Sequence, residues 1–319
     1  MRLRFAALAL LSPLAAAAPA RLDYDWQPGQ RWSFTGAAEV IELAPDLAQS
    51  GLRRMRWAED LYITADDSAG GGGRVSGFVD ERDELQTGPE ARLPVYAFFG
   101  GHTAPGGMWL GFDRTVDTGD LFIGWSPQLA LAPLPEEMPG GEPLAARWPV
   151  WIGSTRLEGE FEIQRLTDAR VGRVTCDRWR ARLREPLALE EPRLRIPTWE
   201  IEVFWDEQMG RPLRVRTTAT VAGPGEGHQV QAQMTLNLAE VARLDTPAAR
   251  ALPKQLALMA DILERRGEDR AAASALAEDF LKTFRRGQFA DVLRSMIQRR
   301  ELTLPAVGDI GGKTDLFYQ

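Results

Sequence analysis

The side chains able to do chemistry are few and scattered. Two histidines, His102 and His228, and a single cysteine, Cys176, lie far apart along 319 residues. Zinc needs three or four such ligands at short spacing, so no metal centre is expected, and each histidine reads as a loop residue beside glycines. Asp113, Asp117 and Asp120 form an acidic loop whose intervals miss the EF-hand positions and lack the closing bidentate glutamate that calcium requires. Asp80, Glu81, Asp83 and Glu84 read as a solvated strand end. Neither a Gly-x-Ser-x-Gly elbow nor a Cys-x-x-Cys redox pair occurs. Gly70 to Gly73 lack the Lys-Ser or Lys-Thr that a phosphate loop needs, and read as a turn. The paired carboxylates of a glycosidase are a spatial relation that 45 acidic residues leave open. The residues thus point to no catalytic group and no cofactor, with a carboxylate-based hydrolase kept as an alternative.

What the chain holds in quantity is tryptophan, 10 residues in all. Residues 88 to 153 are the most aromatic region, where Gly100-Gly101 and Gly106-Gly107 bracket His102 and are followed by Trp109, Phe112, Phe122 and Trp125. That density fits tight turns between short strands, or a rim that a ligand touches. Trp109, Trp125, Trp179 and Trp205 are the candidate ligand-binding residues, lining a concavity for an apolar or amphipathic molecule. Trp199 is a neighbour read as out of phase with Trp205, so that at most one of that pair faces inward.

The elements that must position these residues are mainly strands. Successive side chains of a strand point to opposite faces, so a period of two reports which side is wet. Glu158, Glu160 and Glu162 alternate with Phe161 and Ile163; Arg178, Arg180, Arg182 and Arg184 with Trp179, Ala181 and Leu183. Glu200 and Glu202 then alternate with Ile201 and Val203, Arg214 and Arg216 with Val215, and Gln229, Gln231 and Gln233 with Val230, Ala232 and Met234. Acid, base, acid, base and amide in succession is the order expected of an antiparallel meander with one solvated face. Upstream, Trp32, Phe34, Ala38 and Val40 mark a first strand. Met55, Trp57, Leu61 and Ile63 mark a second, whose apolar face Glu59 interrupts, and a third begins near Arg74. Cys176 falls in phase with the arginine face, which would leave it exposed to pair with another chain, against the alternative of a small residue packed under the sheet edge.

From Thr246-Pro247 the period becomes helical, with Thr246 as N-cap. Leu256, Met259, Ala260 and Leu263 form one stripe, Leu276, Phe280, Leu281 and Phe284 a second, Phe289, Val292, Leu293, Met296 and Ile297 a third. The expected fold is mainly β, an antiparallel curved sheet or half-barrel, of one unit or of two related halves, with a C-terminal three-helix segment. Its expected divisions are an N-terminal β segment at 21–132, a Pro/Gly-rich connection at 133–147, the meander at 148–245, the helices at 246–301 and an extended tail at 302–319.

Arg2 and Arg4 precede an apolar run from Phe5 to Leu14 and small residues up to Ala20, the order of a secretory signal peptide cleaved after Ala20. A periplasmic or secreted location is expected, with no transmembrane segment, since no later run approaches ~20 apolar residues. A net charge of −7 and export both argue against nucleic acid as a partner.

Phe204-Trp205-Asp206 leading to Gly210-Arg211-Pro212-Leu213, preceded by Gly172-Arg173-Val174-Thr175-Cys176 and Pro133-Leu134-Pro135, resembles uncharacterised secreted bacterial β-sheet proteins. These are distantly similar to the periplasmic half-barrels that carry lipoproteins and lipids. The resemblance implies a curved sheet and carries over no catalytic residue. Two roles follow as expectations: an exported, non-catalytic protein binding an apolar or amphipathic ligand such as a lipid, or an assembly protein docking an envelope partner through its C-terminal helices.

Overall fold

The computed structural model describes residues 24–43, 51–67, 72–82, 95–116, 121–135, 142–152, 155–189, 194–223 and 227–299. The expected signal peptide, Asp83, Glu84, Asp117, Asp120 and the expected tail lie outside the described residues. In chain order the elements are β1 (Gln30–Leu43), β2 (Gly51–Asp67), β3 (Gly72–Arg82), β4 (Val95–Thr103), β5 (Trp109–Val116), α1 (Leu121–Ala130), β6 (Leu144–Ile152), β7 (Thr155–Val171), β8 (Val174–Leu183), β9 (Leu187–Leu189), β10 (Leu194–Asp206), β11 (Arg211–Ala222), β12 (Gln229–Arg243), α2 (Thr246–Glu268), α3 (Arg270–Thr283) and α4 (Ala290–Gln298).

The strands form one antiparallel sheet in the order β5-β4-β3-β2-β1-β12-β11-β10-β8-β7-β6, with β9 paired to β10. β1 and β12 pair from Gln30↔Arg243 to Leu43↔Gln229 and so join the first five strands to the later ones. The sheet curls into a nearly closed barrel whose two ends, β5 and β6, face each other.

The alternating charges fall into register as the period of two requires. Glu200 lies opposite Arg182 and Glu202 opposite Arg180 across β8–β10, while Glu202 lies opposite Arg216 across β10–β11. Glu162 faces Arg182 from the other side. The resulting ion pairs form a ladder on the outer face: Arg182 to Glu200 at 2.5 Å, Arg216 to Glu202 at 3.8 Å, Arg184 to Glu160 at 2.5 Å, and Arg178 to Glu202. Exposed pairs of this kind contribute only about 0.2–1 kcal/mol each. What fixes the register is the opposite face, where a slip of one residue would turn Trp179, Ile201, Val203 and Val215 out to water.

Three C-terminal helices are present, and they pack on the outside of the first strands. Leu252, Leu256, Met259 and Ala260 of α2, with Phe280 of α3 and Leu293 and Met296 of α4, form a second core with Tyr62, Phe78, Tyr96 and Phe98 of β2 to β4. Phe289 seals it, edge-on to Tyr62 at 5.7 Å and to Phe78 at 5.4 Å. The N-cap is Asp245, one residue before the expected Thr246; its carboxylate accepts from the Ala248 N–H at 2.8 Å. Asp269 does the same for α3, accepting from Ala271 and Ala272.

Several local expectations change once pairing is known. His102 and Asp113 stand on strands β4 and β5, not in loops, and together with Arg74 of β3 they form a surface ion cluster, at 3.4 Å and 2.9 Å from Asp113. Asp80 and Glu81 are buried, because β3 is an internal strand with helices outside and the barrel inside. Cys176 is also fully buried. The expected rim of turns in 88–153 contains a helix, α1, that no periodicity announced.

Candidate functional site: an aromatic interior filled by a buried helix

An eight-stranded barrel is about as wide as its own side chains can fill. This wall runs through eleven strands, and the extra space is taken by α1, whose sequence is LFIGWSPQLA. From Trp125 to Ala132 every residue is buried. A helix apolar on all sides is stable only when enclosed, which explains both its position and its missing stripe. Its intrinsic propensity is poor, since Gly124 and Pro127 both weaken a helix interior and Pro127 lacks the N–H for a backbone bond.

Tertiary contacts therefore hold α1. Trp125 stacks on Trp199 with ring centroids 4.7 Å apart. The indole N–H of Trp109 donates to the Pro127 carbonyl at 3.1 Å. Gln128 bridges to the edge strand β6, donating to the Trp151 carbonyl at 2.6 Å and accepting from its N–H at 2.8 Å. At the seam between sheet ends, the Trp151 indole donates to the Trp109 carbonyl at 3.3 Å, and Phe112 packs edge-on against Trp151 at 5.1 Å.

The remaining anchor is chemical. The alternation of β2 turns Met55, Trp57, Glu59, Leu61 and Ile63 inward, so Glu59 sits at the apolar wall with no exposure to water. Trp57 Nε1 donates to Ser126 Oγ at 2.8 Å, and the Ser126 hydroxyl donates to Glu59 Oε2. Glu59 Oε1 is buried without a hydrogen-bond partner. Desolvation raises the carboxyl pKa to about 8, against the opposing hydrogen bonds from Ser126 and Trp57 and with a further push from Asp60, so the group is largely uncharged at neutral pH. Trp57 reaches Ser126 because Gly36, paired with it across β1–β2, leaves room: a Cβ at Gly36 would stand 1.9 Å from the indole ring. Further along the same inner face Glu81, opposite Trp57, pairs with Arg53 at 3.0 Å. Glu59 and Glu81 are thus diagonal cross-strand neighbours, with Ser126 of α1 seated on Glu59.

All four tryptophans singled out from the sequence face the interior. Trp125 and Trp179 belong to one aromatic group around α1, linked through Trp199, Phe161 and Trp148, with Trp179 meeting Trp148 at 6.1 Å, while Trp109 packs with Phe99 and with Phe112, which leads to Trp151. Trp205 belongs to a second group at the N-terminal segment, edge-on to Tyr24 at 4.9 Å, where Tyr24, Trp26 and Trp32 stack. Trp199 corrects the phase expected of it: six residues from Trp205 on one strand, it shares that inward face, and the two are 3% and 1% exposed. The expected open concavity is filled. Between Trp109, Trp148, Trp151, Phe161 and Trp199 only about 20 Å³ is left, the room of one water molecule. A larger cleft of about 490 Å³ lies outside, over β12, β1 and β2, where Arg54 and Glu39 pair at 2.9 Å.

Sequence reasoning noted Glu59 only as a break in the pattern, and missed Ser126 and Gln128. The available signal was their isolation: they are the only two side chains in α1 with hydrogen-bonding groups apart from the indole of Trp125.

No family model matches the sequence, and no curated protein does. Among solved structures the chain is similar to lipovitellin, at 8% identity and a TM-score of 0.38, covering 87% of this chain and 36% of that one. It is also similar to a Bacteroides fragilis protein described as exported with a YmcC-like fold, at 8% identity, a TM-score of 0.32 and coverage of 70% and 100%. A third is a domain from Vibrio parahaemolyticus described as an outer membrane lipoprotein-sorting protein, at 11% identity, a TM-score of 0.19 and coverage of 72% and 92%. These likenesses are remote. No helix among the described residues is long and apolar enough to cross a membrane.

Proposed function

We propose that the chain is an exported, non-catalytic carrier that holds an apolar or amphipathic molecule inside its barrel, and that α1 is the segment that gives way to it. One observation carries this reading: a helix of poor propensity, buried from Trp125 onward, fills a cylinder too wide for the wall's own side chains. The buried part of that helix, Trp125 to Ala130, occupies roughly 700–1,000 Å³, the upper end of the 300–1,000 Å³ of ordinary ligand pockets. The wall it would leave is lined by Trp57, Trp109, Trp148 and Trp199, with Glu59 and the Trp151 backbone as polar points. The C-terminal helices spend their fully buried stripes on Tyr62, Phe78, Tyr96 and Phe98, so the envelope-docking role draws no support from them.

Native mass spectrometry of the protein released gently from its own cell envelope tests the reading. The expected result is a bound species of lipid mass, exchangeable with lipid in vesicles. Bare protein both from the envelope and after incubation with vesicles of total envelope lipid would overturn it.

A further inference from the structure

The helix that fills the barrel is itself built like an amphiphile. Around Ser126 it presents an apolar body, Trp125, Leu129 and Ala130, all buried, and it offers the wall a single hydroxyl, which Glu59 accepts. A molecule that takes the place of α1 meets the same wall with the same carboxyl exposed to it. Protonated at neutral pH, Glu59 then has an acceptor oxygen, the one vacated by Ser126, and an O–H donor to satisfy, and its Oε1 has no partner even now. Leaving a buried donor or acceptor unmet costs about 1–3 kcal/mol, so the site favours an occupant whose polar group both donates and accepts, as a hydroxyl does.

Charge decides which donor-bearing class. An anionic headgroup here would lose its hydration beside a buried carboxyl, with Glu81 on the neighbouring strand and Asp60 next in sequence. Of the guanidinium groups on this side, Arg53 is held by Glu81 at 3.0 Å, and Arg211 lies over the Trp32 ring at 4.9 Å with Asp25 at 3.6 Å, only its Nη1 being buried without a hydrogen-bond partner. Burying an anion without a counter-charge is far more costly than burying a hydroxyl that is hydrogen-bonded. We infer that Glu59 reads the headgroup of the carried molecule, selecting amphiphiles whose polar end is an uncharged hydroxyl over those ending in an anionic phosphate. The inference rests on the carrier reading above and names the chemistry of its ligand.

The test offers the full-length mature protein 1-oleoylglycerol and its 3-phosphate, lipids that share one chain and differ in charge, from phosphatidylcholine vesicles at neutral pH. Protein is separated from vesicles by flotation and bound lipid is counted by mass spectrometry. Wild type is expected to take up the uncharged lipid at least about tenfold more, the scale on which sites built around a hydroxyl discriminate. Glu59→Leu should bring the ratio to within about twofold of one while still loading both lipids, since it removes the reader and keeps the apolar wall. Ser126→Ala, which removes the competing hydroxyl, should raise uptake of the uncharged lipid about threefold or more, in line with one lost hydrogen bond. Preference for the phosphate in wild type, or an unchanged ratio in folded Glu59→Leu, overturns the headgroup role. Should Glu59→Leu fail to fold, uptake by Ser126→Ala no greater than wild type overturns it instead. If neither lipid loads into wild type or Ser126→Ala, the carrier reading itself falls.

Discussion

Replacing Glu59 by Gln should change how stability depends on pH far more than it changes the fold. In the folded chain burial holds the Glu59 pKa at about 8, whereas an unfolded chain gives it the ordinary 4.5. Between those values the folded state keeps a proton that the unfolded state has released. The stability due to this difference is fully present below pH 4.5 and is lost as pH rises through 8. Each pH unit in that window removes roughly 1.4 kcal/mol, so wild type should lose about 3–4 kcal/mol between pH 5 and pH 8 from this residue alone. Gln fills nearly the same volume and has no proton to release, so its curve lacks this slope. Tyr24 and Tyr62 do not intrude, because burial pushes both phenols above their usual range. Urea unfolding of both proteins at pH 5, 6, 7, 8 and 9 measures the difference, which should grow in favour of the Gln variant as pH rises. Parallel curves, or wild type gaining on the variant at high pH, would refute the account of Glu59 as a desolvated carboxyl.

Two further perturbations probe the same interior. Gly36→Ala places a methyl 1.9 Å from the Trp57 ring and pushes the indole off Ser126, and overpacking of this kind typically costs about 1–3 kcal/mol; differential scanning calorimetry should show a lower Tm, and an unchanged Tm would contradict the packing. The Cys176 thiol has no exposed surface and burial raises its pKa above 9.0, so a disulfide reagent at pH 7.5 should find it unreactive until denaturant is added; prompt stoichiometric labelling of native protein would show the residue to be accessible.

The outer ladder was legible because two independent signals coincide there. Period-2 alternation fixed the faces of β7, β8, β10, β11 and β12, and the sign of the charges gave their neighbours, down to Glu200 opposite Arg182. The helical stripes of α2 to α4 were legible for the same reason, one face of each being spent on the sheet. α1 was not, since a helix buried from Trp125 onward has no solvated face there to set a period, and Gly124 and Pro127 speak locally against it. Glu59 was visible as an irregularity, but its meaning needed Ser126, 67 residues away in sequence and brought to it only by the closure of the sheet. The burial of Asp80 and Glu81 was hidden likewise, because a run of acids looks alike at a free strand end and in an internal strand.

The side chain of Gln128 repeats the chemistry of a peptide unit, one donor and one acceptor in a plane, and it offers both to Trp151. At that rung the outermost strand is answered by a borrowed amide in place of a neighbouring strand. Lone strand margins invite other chains to add themselves, and this one is quiet there only while the inner helix is at home. A molecule that took the place of the inner helix would bare that rung as well.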